Sequence, residues 1–185
     1  MKGKARIALL IAACIQSAWL AFVLWRGNID RGKFVYAAVI TALFAVFALS
    51  NGRYRWLNIS CRVLIGLAFC LSVCDRFGLL GKNGASGISW GDFSHFIAYT
   101  QQVNSFLPAT WAPLLAWLAT VCETTLGLLL VSGLLASPAE LAATLLLLLF
   151  GSAMIASLGV TSQFYYAVFV LACGAFYLHT LEKKR

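Results

Sequence analysis

The sequence has few charged residues: 11% of its 185 amino acids are Asp, Glu, Lys or Arg, whereas 62% are hydrophobic. Soluble domains average about 25% charged residues, so this composition excludes a soluble globular fold and indicates a chain solvated by lipid. The formal net charge is +8. Because the basic residues stand at the ends of apolar runs rather than on one polar face, the charge indicates membrane topology, and nucleic acid is excluded as a partner.

Histidine is also scarce, with only His95 and His179 in the chain. The topology that the apolar runs predict places the two near opposite membrane faces, where they cannot ligate one haem or one metal ion together. The sequence also lacks a glycine-rich phosphate loop and a Ser/His/Asp constellation. We therefore expect no haem or metal, and the cofactor stays unknown, with quinone as the one candidate.

What the sequence has instead is a set of long apolar runs. A run of about 20 residues spans a hydrocarbon core about 30 Å thick. Six runs predict six transmembrane helices, at residues 5–25, 34–49, 57–80, 111–135, 139–158 and 164–181. The first could also be the core of a secretory signal peptide, but it continues through Trp25 and no soluble domain follows, so we predict a retained helix.

Lys and Arg flank the cytoplasmic ends of membrane helices. With six spans, eight basic residues fall on the side of the chain termini and five on the other. The cluster Lys183-Lys184-Arg185 strengthens this bias. We expect both termini in the cytoplasm of a bacterium, in its inner membrane, and the segment 81–110 outside.

The outer segment carries apolar residues at roughly helical intervals, with polar residues mainly between them. The apolar residues are Phe93, Phe96, Ile97, Val103, Phe106 and Leu107. This pattern predicts a short amphipathic helix that lies at the outer interface and caps the bundle. The alternative is a loop whose aromatic rings only touch lipid headgroups.

Two ionisable residues, Arg62 and Glu123, are predicted to lie in the membrane interior, where an unpaired charge costs several kcal/mol. Counted from the helix ends, Arg62 and Glu123 lie at matching depths, and small residues beside them favour close contact between their helices. We therefore predict that Arg62 and Glu123 form an ion pair. The pair has either a catalytic or ligand-binding role or the structural role of locking the bundle.

Asp75 and Arg76 lie near the outer end of the third predicted span. The sequence suggests a small polar pocket beneath the cap, in which His95, Gln102 and Asn104 join Asp75, with Asp75 as a catalytic group and the others, together with Arg76, as substrate ligands. The alternative is a polar rim, with Arg76 reaching towards water.

Three cysteines allow a further hypothesis. Cys70 and Cys74 lie one turn apart on one helical face, and Cys122 adjoins Glu123. No Cys-x-x-Cys motif is present, and side chains that project in parallel from one helix form poor disulfides. Redox chemistry at these thiols is the less favoured reading, and packing explains them as well.

From residue 53 onward the sequence resembles the DoxX family of small bacterial membrane proteins. The stretches that carry the resemblance are CRVLIG at 61–66, DRF at 75–77, FIAY at 96–99, NSFLP at 104–108, LAWLATVCE at 115–123 and LGLLL at 126–130. The resemblance implies a four-helix transmembrane bundle at residues 53–185, preceded by a two-helix extension at 1–52. It also implies an association with redox biology, since family members are similar to the small subunit of thiosulfate:quinone oxidoreductase.

Two functions follow as hypotheses. The first is an integral membrane subunit of a redox assembly that handles quinone or a small sulfur or thiol substrate. The second is a non-catalytic membrane anchor or maturation partner for another protein, and whether the chain is an enzyme stays open. Both imply the lipid bilayer as a partner, together with a second protein or a second copy of the chain. A small transporter has less support, because the sequence shows no pair of broken helices.

Overall fold

The structure is a computed structural model that describes residues 1–27 and 31–182. Within these ranges the chain forms seven α-helices, two short 3-10 helices and no strand. The α-helices are α1 Lys2–Arg26, α2 Arg31–Leu49, α3 Arg55–Arg76, α4 Phe93–Val103, α5 Ala112–Ser132, α6 Ala136–Leu158 and α7 Val168–Glu182. The prediction of an all-helical chain is confirmed.

Five of these helices are long and apolar enough to cross a membrane, namely α1, α2, α3, α6 and α5 with the 3-10 turn before it. The predicted sixth span is shorter than expected. Its run folds as a 3-10 helix, Ser162–Tyr166, followed by the 15-residue α7. The two are separated at Ala167, which has a φ of 50°. At about 1.5 Å per residue α7 is about 22 Å long, less than the hydrocarbon core of about 30 Å.

The two ends of the described chain lie at the same end of the bundle. Arg6 in α1 donates from Nε to the carbonyl oxygen of Ala48 at the end of α2, 2.9 Å away. Near the end of α7, Glu182 accepts from Arg62 of α3. We call this end the terminal face and the opposite end, which carries α4, the cap face. The cluster at residues 183–185, used to predict the orientation, lies outside the described residues.

Helix α7 occupies the centre of the bundle, where it packs against α6, α1, α2 and α3. Nine of its 15 residues are buried. A single hydrophobic cluster joins it to residues of α1, α2, α3, α5 and α6. The two N-terminal helices therefore pack on the same core as the rest, while the division at residue 52 stays a prediction.

Helices α3 and α5 pack closely along a line of small residues, as the sequence predicted. A Cβ atom on Gly66 would lie 2.9 Å from the carbonyl oxygen of Gly127, and one on Gly127 would lie 2.7 Å from Sγ of Cys70. Only glycine allows two helix backbones to come this near. The contact fixes the register of α3 against α5 and thereby the partners of every polar group on the two helices.

Candidate functional site

The cap face is built on α4. Asp92 is the N-cap residue, and its side chain accepts from the backbone N–H of His95 at 2.9 Å and contacts Nδ1 of the same residue at 2.7 Å. These two interactions, the backbone one first, hold the pKa of the Asp92 carboxyl below its ordinary value. The cap thus gives α4 a defined start at the point where the outer loop ends.

The amphipathic character of α4 is confirmed. Phe96 and Val103 are buried, Phe93 and Ile97 are partly buried, and His95 is exposed. Phe106 does not belong to the buried face and is 64% exposed, because the helix ends at Val103.

Beneath α4 lies a buried ion pair that joins the end of α3 to the middle of α5. Arg76 donates from Nη2 to Oε1 of Glu123 at 2.6 Å, and the two side chains are 2% and 3% exposed. Arg76 also donates to Oγ1 of Thr120 at 3.1 Å and to Oγ of Ser72 at 3.0 Å. Its Nε has no acceptor among the described residues. The pair is therefore almost entirely enclosed by protein.

Aromatic rings cover the arginine. The guanidinium carbon of Arg76 lies 3.7 Å from the ring centroid of Phe96 and 5.3 Å from that of Trp90. The ring of Phe93 continues this cover towards Trp117 of α5, with 4.6 Å between the centroids. A cation over the face of an aromatic ring is attracted by its quadrupole. The cap helix is thus held on the bundle by Arg76 as well as by apolar contact.

Asp75, the neighbour of Arg76, organises the outer loop. Its buried carboxylate accepts three backbone N–H groups, from Ser89 at 2.9 Å, Trp90 at 3.3 Å and Gly91 at 3.1 Å. Three donors on one carboxylate satisfy its charge without a counter-ion. Asp75 therefore fixes the segment that leads into α4.

The predicted pair of Arg62 with Glu123 is wrong. Arg62 lies beside Leu130, to whose carbonyl oxygen its Nε donates at 3.2 Å. Seven residues separate Leu130 from Glu123, about 11 Å along α5. Arg62 instead pairs with Glu182 of α7, with 2.9 Å between Nη1 and Oε1.

The reason for this error is the relative position of the helix ends. Matching depths were inferred by assuming that α3 and α5 end at one level on the terminal face. In the structure Arg62 is seven residues into α3, which begins at Arg55, yet it lies beside a residue only two positions from the end of α5 at Ser132. Helix α3 thus extends past α5, and the depth of Arg62 was overestimated relative to Glu123.

The predicted polar pocket around Asp75 is not formed. His95 is paired with Asp92 on the exposed side of α4, Gln102 is exposed, and Asn104 donates to the carbonyl oxygen of Thr100 in its own helix. The apolar face of α4 meets the bundle, so its polar residues point away from Asp75. Arg76 was predicted as a substrate ligand, with a place in a polar rim as the alternative. It is instead buried, with 2% exposure, and donates to Glu123.

The cysteines show no disulfide among the described residues. Cys70, Cys74 and Cys122 are free and partly buried. Cys70 packs against Gly127 in the contact between α3 and α5. This placement agrees with the packing role that was the alternative to redox chemistry.

Sequence reasoning also missed Glu140, an ionisable residue in the first turns of α6. Its side chain is fully buried, and neither carboxylate oxygen has a hydrogen-bond partner among the described residues. The rule that singled out Glu123, an acidic residue in an apolar run, also applies to Glu140. It was passed over because the fifth run was taken to begin at residue 139, which placed Glu140 at the membrane surface.

A small cavity opens at the terminal face, beside the ion pair of Arg62 with Glu182. Its volume is about 80 Å³, and it is lined by Arg55, Asn58, Ile59, Arg62, Leu178, Leu181 and Glu182. The Oδ1 atom of Asn58 is buried and has no donor among the described residues. The structure thus separates two polar regions, a closed one under the cap and an open one at the terminal face.

We compared the chain with known protein families, curated proteins and solved structures. It matches no family model, no curated protein and no solved structure. Five helices suited to crossing a membrane nevertheless make it a multi-pass membrane protein in contact with lipid.

Proposed function

We propose that the protein is a non-catalytic membrane subunit of the DoxX type, which holds a partner protein of a redox assembly at its cap face. The observation that carries this proposal is that the charged groups under the cap are paired within the chain and enclosed by it. Arg76, Glu123 and Asp75 all bind groups of their own chain and are nearly inaccessible. Buried charges that are paired and hydrogen-bonded in this way hold the protein in one conformation, and they are not free to bind a substrate.

The alternative, a subunit that binds quinone or a small sulfur compound, has less support. It required an outer pocket in which Asp75, His95, Gln102 and Asn104 converge. A substrate would have to displace the bond of 2.6 Å between Arg76 and Glu123 to reach either group. The anchoring function needs no such displacement, and it uses the outer surface that the network fixes.

The resemblance to DoxX supports the redox context of the partner, and it supports a four-helix arrangement formed here by α3, α5, α6 and α7. The excess of basic residues on the terminal side supports an orientation with both termini in the cytoplasm of a bacterial cell. The cap face is then outside the inner membrane, where it meets a periplasmic or membrane-bound partner.

Site-specific photocrosslinking in native membranes tests the proposal. A photoreactive residue at the exposed Gln102 is expected to crosslink to a second protein, whereas one at the lipid-facing Leu149 is not. Asp75→Asn, which loosens the loop before α4, should lower the yield at Gln102. Crosslinks to lipid alone would contradict the anchoring function. Copurified quinone that is lost in Glu123→Gln would favour the substrate-binding function.

The orientation has a separate test. A cysteine tag within residues 84–87 should react with an impermeant reagent in intact cells, and a reporter fused after Arg185 should be active in the cytoplasm. Labelling of the tag only after lysis would place the cap face inside.

A further inference from the structure

In the described part of the chain, no cationic side chain forms a salt bridge with the buried carboxyl group of Glu140. It is 0% exposed, and neither of its oxygen atoms accepts a hydrogen bond from a described residue. A carboxylate without donors in such surroundings costs several kcal/mol. The group therefore requires a ligand that brings a positive charge or a hydrogen-bond donor.

The surroundings of Glu140 identify which charges face it. Glu182 of α7 and Arg62 of α3 are close enough for their charges to act on it, and these two neutralise each other in a salt bridge of 2.9 Å. His179 of α7 is engaged by Ser137, one turn before Glu140, and Arg55 is exposed at the start of α3. The last turn of α5, residues 129–132, has no ionisable side chain. Among the residues that the structure describes, no contact balances the negative charge of Glu140.

The cavity at the terminal face supplies an independent observation. Asn58 lines it, and the Oδ1 atom of Asn58 is a buried acceptor without a donor among the described residues. Glu182 lines it too and has 31% of its side chain exposed. The cavity has a volume of about 80 Å³, which is enough for water, because one water molecule needs about 10–15 Å³ of cavity volume. The atoms without partners are acceptors, so the missing ligand is a donor.

We propose that Glu140 is a proton-binding site that exchanges protons with water at the terminal face, by way of the cavity and Glu182. A hydronium ion in the cavity gives a proton to Glu182 and is left as water. Glu182 then gives its proton to the Glu140 carboxylate, which becomes the neutral acid. The salt bridge between Arg62 and Glu182 is restored, and no electrons are transferred. The ligand is the proton because it alone needs no further coordinating oxygen atoms at a site so tightly enclosed.

Infrared spectroscopy of the protein in lipid nanodiscs tests the site directly. The wild-type protein at neutral pH should show the carbonyl stretch of a protonated carboxylic acid, and Glu140→Gln should remove it. Glu140→Asp should keep such a band at a shifted frequency, which distinguishes loss of the proton from loss of the fold. A band that persists in Glu140→Gln, or its absence from the wild-type protein at neutral pH, would overturn the proposal.

The path of exchange is tested by transfer into D2O, which shifts the band as the acid proton is replaced. Glu182→Gln should slow this shift by about tenfold or more, equivalent to a barrier higher by about 1.4 kcal/mol. Ile59→Leu, a cavity-lining change without a polar group, should leave the rate as it is. Equal exchange in wild type and Glu182→Gln would refute the path. A band that emerges only when sodium and potassium are removed would assign the site to a metal cation instead.

Discussion

The buried pair of Arg76 with Glu123 allows a sharp prediction about stability. Arg76→Met leaves the Glu123 carboxylate without its counter-ion, and Glu123→Gln leaves the Arg76 guanidinium without its own. The double variant removes both charges together. Because the two side chains are only 2% and 3% exposed, water does not replace the missing partner.

Loss of one member of a buried ion pair costs about 3–5 kcal/mol. We expect Arg76→Met to fall at the upper end, since it also removes the contact with the ring of Phe96 at 3.7 Å. Glu123→Gln should fall at the lower end, because Thr120 and Ser72 still accept from the guanidinium. The double variant should cost less than the two single changes together, with a coupling of about 2–3 kcal/mol.

Reversible unfolding by denaturant in mixed micelles measures these costs through tryptophan fluorescence, to which Trp90 and Trp117 contribute from either side of the pair. The matched control is Arg62→Met. Its ion pair with Glu182 is more exposed, at 15% and 31%, so we expect a smaller loss of stability than in Arg76→Met.

Additive costs for the two single variants would show that the groups are not coupled. Equal losses in Arg76→Met and Arg62→Met would show that enclosure of the pair under the cap has no energetic consequence. Either result would remove the argument that these charges hold the cap on the bundle.

Three other changes have expected outcomes. Gly66→Val should destabilise the protein in the same unfolding assay by about 1–3 kcal/mol through overpacking against α5, whereas Gly3→Ala, with open space around it, should not. Asp75→Asn should speed amide hydrogen exchange at Gly91 and its neighbours, because a neutral acceptor binds N–H groups more weakly than a carboxylate; unchanged exchange would contradict its role in the loop. The pKa of Asp92 is lower in the folded protein than in the unfolded chain. The stabilisation of α4 by Asp92 is therefore complete above the pKa of the unfolded chain, and it is lost as the pH falls through the pKa of the folded protein. Exchange protection of α4 should fall with acid in wild type but not in Asp92→Asn, whose amide caps at every pH.

Local patterns in the sequence were sufficient to predict the helices and the faces they bury. Apolar runs predicted five of the membrane helices to within a few residues, and the spacing of Phe96 and Val103 predicted the buried face of α4. The line of small residues on α3 and α5 predicted that these two helices pack against each other. Each of these properties depends on residues near one another in the chain, or on one kind of contact.

The pairing of charges could not be predicted in the same way. It depends on the register of α3 against α5 to within one turn, and on how far each helix extends at the terminal face. Arg62 lies beside Leu130, seven residues from Glu123 along α5, and Glu123 pairs with Arg76 instead. Glu182 was not predicted as the partner of Arg62, because the end of the chain was interpreted only as a basic cluster that sets the topology.

The central position of α7 has a consequence for biogenesis. Helices enter the membrane in chain order, and α7 follows all the helices that surround it. While α7 is still being synthesised, α1 can already pack on α2 and α3 on α5, but the faces of α1, α2, α3 and α6 that contact α7 have no partner. We therefore expect the bundle to be complete only after α7 has joined it, and the shortness of α7 is compatible with this position because other helices surround it. A chain that ends before residue 168 should insert its helices without completing the bundle.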